Sequence, residues 1–239
     1  MRPQRKLVAT GLIAVALVYA LTVAARNGLA DLYAEPAETF LQDTRASGGT
    51  LTETEWLAIE ANLLKALNLA PDDPSTLTEL GRLHRIQLEA DTLALTEVER
   101  YGNLAIGYYE EAARLRPAWP WGWSNLALMR YELYQDTSDA YYDALIHATH
   151  FGPWEAQVQR LVVDLGLDTW GSLSPDARRA VLGTIDRALV RQPLGLAAII
   201  DSDQAWQMFC EAATADVAAN ELTRLQGHCE NLSRIEDEI

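Results

Sequence analysis

The sequence predicts an all-α protein: one apolar N-terminal helix, then helix pairs stacked into a short, irregular solenoid. Three observations predict it. Residues Leu7 to Ala25 run 19 positions without a charge. Four prolines, Pro71, Pro117, Pro153 and Pro193, each close a segment with the same apolar spacing. Nothing after Ala25 reads as a strand, because no alternating run of β-branched residues bounded by turns occurs.

The N-terminal stretch comes first. A helix of its length reaches roughly 28 Å, close to the hydrocarbon thickness of a bilayer. Arg2, Arg5 and Lys6 precede it, and the first acid is Asp31. That bias predicts a cytoplasmic N-terminus (1–6), a single transmembrane anchor (7–25) and a body on the far side. In a bacterium this means an inner-membrane protein facing the periplasm. The competing reading is a signal peptide cleaved after Ala25, since Val23-Ala24-Ala25 offers small residues. The apolar run is longer than such peptides usually carry. Both readings place the body across the membrane. Residues 26–48 then read as an amphipathic linking helix, which could continue the anchor.

The body, 49–200, repeats. Five residues before each marker proline stands an alanine: Ala66, Ala112, Ala148 and Ala188. Eight before stand Leu63, Tyr109, Leu145 and Ile185, and twelve before stand Ile59, Ala105, Tyr141 and Val181. Steps of four and three place these positions on one helical face. The small alanine admits a close neighbour, and proline ends the helix because it drives the preceding residue out of the α region. A first helix of each unit is also visible, in Leu77, Leu80-Gly81 and His84, and again in Trp123, Leu126-Ala127, Tyr131 and Tyr134. Thr52-Glu53-Thr54-Glu55 and Thr96-Glu97-Val98-Glu99 read as capping boxes. Asp73-Pro74 and Ser174-Pro175 read as N-caps before a first-turn proline.

These landmarks resemble the tetratricopeptide repeat (TPR), whose 34-residue unit carries an aromatic, a Leu-Gly or Leu-Ala pair, two alanines and a proline in this order. The intervals here are 46, 36 and 40 residues, so the units are irregular, with an insertion expected around Gln87–Thr96. Residues 201–239 are expected to form C-terminal capping helices, with Arg224, Glu230, Arg234 and Glu236-Asp237-Glu238 as their polar face. Cys210 and Cys229 are the only cysteines. A hairpin turning near Ala218–Asn220 would let them pair, and an oxidising compartment favours the disulfide over two buried thiols.

Charge and motifs exclude several function classes. The chain has 34 acidic against 19 basic side chains, a net −15. No basic patch suits nucleic acid, so none is expected as a partner. There is no phosphate-binding Gly-rich loop, no G-x-S-x-G and no H-E-x-x-H. No catalytic residues and no cofactor are assigned, and an enzyme is not expected. Asp143, His147 and His150 share a helix side, as metal ligands would. They flank the packing positions Ala144, Leu145 and Ala148, so no metal is assigned. The most unusual segment is Trp119-Pro120-Trp121-Gly122-Trp123, with Trp154 after the next marker proline. Trp123 falls where the repeat wants a large core residue. Trp119 and Trp121, with Trp154 and Tyr134, either pack or form a partner or glycan surface.

The stretches EWLAIEANLLKALNLAPDDP, RPAWPWGW at 116–123 and FGPWE at 151–155 resemble membrane-anchored TPR proteins of bacterial exopolysaccharide clusters, the VpsP-like polysaccharide biosynthesis proteins. The resemblance covers about residues 30–195. It implies a non-enzymatic scaffold or assembly factor in making or exporting a capsule or matrix polysaccharide. Its partners would be proteins of the polymerisation or export machinery. The alternative is a glycan-binding module that holds the nascent chain through the Trp-rich turn.

Overall fold

The structure, a computed structural model, describes residues 2–47, 50–88, 93–134, 138–200, 203–215 and 222–237. It is all-α, as the sequence predicts. In chain order the helices are α1 (Arg2–Ser47), α2 (Glu53–Leu69), α3 (Pro74–Gln87), α4 (Leu95–Leu115), α5 (Pro120–Tyr134), α6 (Asp139–Phe151), α7 (Ala156–Asp168), α8 (Pro175–Arg191), α9 (Pro193–Ala197), α10 (Asp203–Ala215) and α11 (Thr223–Asp237). Each helix packs on its chain neighbours from α1 to α9, and α10 packs on α11. The pairs α5/α7 and α6/α8 also touch, and α11 returns to α8.

All twelve landmark positions before the four prolines are buried. The helices they lie on also end alike. The first N–H past each helix, on Ala70, Arg116, Gly152 and Gln192, donates to the carbonyl of the alanine five before the proline. The proline one residue later has no N–H to continue the ladder. The repeat is therefore one terminator built four times.

Capping follows local chemistry. Thr52 and Glu55 form the reciprocal box at α2. Asp73 accepts from the N–H groups of Ser75 and Thr76, and Ser174 from that of Ala177. One cap is corrected. Thr96 does not open α4; the helix begins two residues earlier, with Ala94 at the N-cap and Glu97 accepting from the Ala94 N–H at 3.4 Å. Glu97 stands three residues after Ala94, as Glu99 stands three after Thr96. The start that forms is the one whose N-cap has no acceptor side chain. The insertion expected around Gln87–Thr96 lies partly outside the described residues.

α1 is one continuous helix. Every residue from Gly11 to Leu29 is exposed, and the helix is long and apolar enough to cross a membrane. Residues past Arg26 do more than link. Ala30, Ala34, Ala37 and Leu41, at steps of four, three and four, are buried in one core with Trp56, Ile59, Leu63 and Ala66 of α2. Three of the four are alanines, so the two backbones approach closely. Lys65 lies over the Tyr33 ring, and the Arg26 Nε donates to the Leu69 carbonyl at 3.1 Å. These contacts set α2 antiparallel to α1.

The α3/α4 contact is tight because α3 carries Gly81. A Cβ there would meet the Tyr109 ring at 2.6 Å. Beside it, His84 lies between the rings of Tyr101 and Tyr108 and edge-on to Trp56. Burial, with Arg100 adding to it, holds the His84 imidazole down to about 4, so it is neutral at pH 7.

At the other end, Cys210 of α10 and Cys229 of α11 are joined in a disulfide. The turn expected at Ala218–Asn220 lies outside the described residues. Arg224 is only partly a polar outer face. Its backbone N–H and that of Leu225 donate to Asp186 of α8 at 2.8 and 2.9 Å, and its guanidinium pairs with the same carboxylate.

Candidate functional site: a groove on the odd-numbered helices

One stripe from each of α1, α3, α5 and α7 lines a groove of about 920 Å³. On α1 the stripe is Glu38, Leu41 and Thr44; on α3 it includes Ser75, Glu79, Arg82 and Arg85; on α5, Trp121, Asn125 and Leu128; on α7, Gln157, Arg160 and Asp164. Steps of three and four within each helix hold these side chains on one face. Tyr109, on α4, also lines it.

Trp119 and Trp121 both line this groove. Pro120 between them is the first residue of α5, where a missing N–H costs nothing. The Arg116 guanidinium lies 5.1 Å from the Trp119 ring. Trp123 points elsewhere. Its Nε1 donates to the Pro117 carbonyl, and its ring stacks on His147 at 4.4 Å. That imidazole is held in turn by its Nδ1 against the Asp143 carbonyl at 2.6 Å. His150 packs edge-on against Phe151. Trp154 is 55% exposed and does not line the groove. Tyr134 ends α5, and its side chain lies outside the described residues.

Sequence reading did not find the groove's charges. Glu79 is the buried one. Arg82 Nη1 forms an ion pair with its Oε2 at 3.1 Å. Burial pushes the Glu79 carboxyl up to about 6; Arg82 opposes this and Glu38 adds to it. Burial, then Asp73, also raises the Glu38 carboxyl, and burial with Asp168 raises that of Asp164. Arg85 makes a two-pronged bond to Glu132 of α5 at 2.8 and 2.9 Å, tying the second and third pairs across the groove wall. Arg82, Arg85 and Arg160 face Glu38, Glu79 and Asp164, so a chain of net −15 presents a nearly balanced groove. The only signal available beforehand was the three-residue spacing of the two arginines on α3, Arg82 and Arg85.

Glu79 has a measurable consequence. Its carboxyl binds a proton more tightly folded than unfolded. Its contribution to stability is therefore full below the unfolded value of 4.5 and is lost as pH rises through about 6. Glu79→Gln should stabilise the protein by about 2 kcal/mol at pH 7.5 and hardly at all at pH 4. Thermal melts of the full chain at both pH values check this. A loss at pH 7.5 would mean that the attraction to Arg82 outweighs burial.

No protein-family model matches the chain, and no curated protein matches it.

Proposed function

We propose that this protein is a non-enzymatic, membrane-anchored scaffold whose odd-helix groove holds a segment of another protein. In this reading α1 crosses the bacterial inner membrane once and the body stands in the periplasm. The irregular helix pairs act as tetratricopeptide-type units. The partner belongs to the machinery that polymerises or exports a surface polysaccharide. The pathway rests on the sequence resemblance. The mode of action rests on one observation: four helices from successive pairs contribute stripes to one groove containing two tryptophans and balanced charge. Stacked helix pairs use such grooves to hold extended or helical segments, and tryptophan and arginine dominate binding energy at interfaces.

A second reading keeps the groove and changes the occupant to a glycan. The presence of both Trp119 and Trp121 favours it, since indole faces stack on sugar rings.

The test is made in cells. Deleting the gene should reduce secreted and cell-bound polysaccharide, and the wild-type gene should restore it. Unchanged amount and chain length would sink the pathway. A photo-crosslinker at Asn125 should capture a protein of that machinery. Trp119→Ala with Trp121→Ala should cut the capture about tenfold or more, as loss of two hot-spot side chains does. A melting temperature on the double variant guards against a folding defect. Loss of polysaccharide retention with protein capture intact would favour the glycan.

A further inference from the structure

Past the ends of the four terminated helices, α2, α4, α6 and α8, stand the exposed residues Asp72, Arg116, Trp154 and Leu194, the last of them on α9, and the last three of these ends are in contact. Asp72 of the first turn acts electrostatically on Arg114 at the end of α4. Gly152 of the third packs on Pro120 beside the second, so closely that a Cβ would meet it at 2.6 Å. Arg187 Nε donates to the Pro153 carbonyl at 3.2 Å, and Gln192 Nε2 to the Ala156 carbonyl at 2.7 Å, joining the third turn to the fourth. The last three ends thus form one edge, and the Asp72–Arg114 attraction relates the first end to it.

That edge begins where the apolar part of α1 ends. The Arg26 side chain is bonded to Leu69, the last residue of α2, and α1 runs back from Arg26 as an uninterrupted helix, exposed as far as Gly11. With no flexible joint between span and body, a bilayer around residues 7–25 has its surface at the level of the first turn. The edge is chemically suited to meet it. Trp154, Val190 and Leu194 are 55%, 62% and 87% exposed, and Ala118 is exposed beside them. Exposed Arg116 and Arg191 flank these residues, with Asp72 and Glu155 as the opposing acids. A body of net −18 beyond residue 6 is repelled by anionic lipid over most of its surface, so an edge of arginine, tryptophan and leucine is the face that can approach. Tryptophan is one of the residues that settle at the headgroup level.

We propose that the proline-turn edge lies on the outer surface of the membrane that α1 crosses, with Trp154 and Leu194 in the headgroup layer. The proposal rests on α1 being a membrane anchor. Such an arrangement stands the helix pairs on the bilayer by the ends of α2, α4, α6 and α8, and lifts their starts away from it.

The test uses the full chain, one per nanodisc, in phosphatidylglycerol–phosphatidylcholine bilayers carrying doxyl-labelled lipid. Single cysteines are introduced as Trp154→Cys, Leu194→Cys, Thr54→Cys, Asp176→Cys and Val15→Cys. A fluorophore is attached without reductant, so that the Cys210–Cys229 bridge stays closed. Positions 54 and 176, at helix starts, report the opposite edge. The expected result is quenching at 154 and 194 at least about threefold stronger than at 54 and 176. Strong quenching at 15 with equal, weak quenching at both edges would overturn the proposal and leave the anchor standing. No quenching at 15 would overturn the anchor, and the proposal with it. Labels at 154 and 194 that are shielded from water but not quenched by lipid would show a protein or a second copy on this edge, and would also overturn it.

Discussion

Gly81→Ala should destabilise the protein by about 3 kcal/mol, lowering the melting temperature of the full chain by roughly 6–12 °C. The reason is geometric. The added methyl would sit 2.6 Å from Cε1 and 2.9 Å from Cδ1 of Tyr109. That ring is 1% exposed, and as a rigid aromatic side chain it cannot yield as the flexible end of a lysine could. Relief requires α3 to move off α4, which would loosen the groove that both helices build. Pairing Gly81→Ala with Tyr109→Leu should cost clearly less than the two changes summed, because the smaller side chain vacates the space. Thermal melts of the single and double variants decide it. A Gly81→Ala protein as stable as wild type would mean that the α3/α4 contact is not the rigid one described.

Asp186→Ala should release the C-terminal pair rather than unfold the whole chain. Asp186 is 3% exposed and accepts from two backbone N–H groups in the first turn of α11 as well as from the Arg224 guanidinium. Two of the orphan donors that every helix start leaves are therefore satisfied by a side chain on α8. Removing it strands the Leu225 N–H in a buried place. A loss of about 3 kcal/mol in the attachment of α10 and α11 follows from hydrogen bonds to a charged acceptor. Hydrogen exchange should accelerate across residues 203–237 while α2 to α4 keep their protection. Asp186→Asn, whose amide oxygen still accepts, should fall between. Unchanged protection across 203–237 would sink the capping role. The Cys210–Cys229 disulfide would keep the released pair together, since it joins α10 to α11 and neither to α8.

What could be read beforehand depended on the range of the physics involved. Helix ends are decided within about four residues. The proline markers, the alanines before them and the caps at Thr52, Asp73 and Ser174 therefore stand where the pattern puts them, and the landmark face is buried throughout. The Thr96 cap shows the limit of the same method. Two overlapping local patterns competed there, and the helix starts at the one whose N-cap lacks an acceptor side chain.

The sequence by itself determined the all-α class, the positions of the helix terminators and an apolar stretch long enough to cross a membrane. Each follows from composition or from contacts within a turn or two of helix. Only the tertiary structure decided that residues 30–41 pack against α2 instead of merely linking, that Trp119 and Trp121 share a groove with Glu79 and Arg160 while Trp154 stays outside it, and that Asp186 caps a helix 38 residues further on. These depend on the angle and register at which successive helix pairs stack. Small residues such as Ala34 and Gly81 set that stacking through close approach. The spacing of residues along one helix holds no information about the next helix's angle, so the contents of the groove could not be read from it.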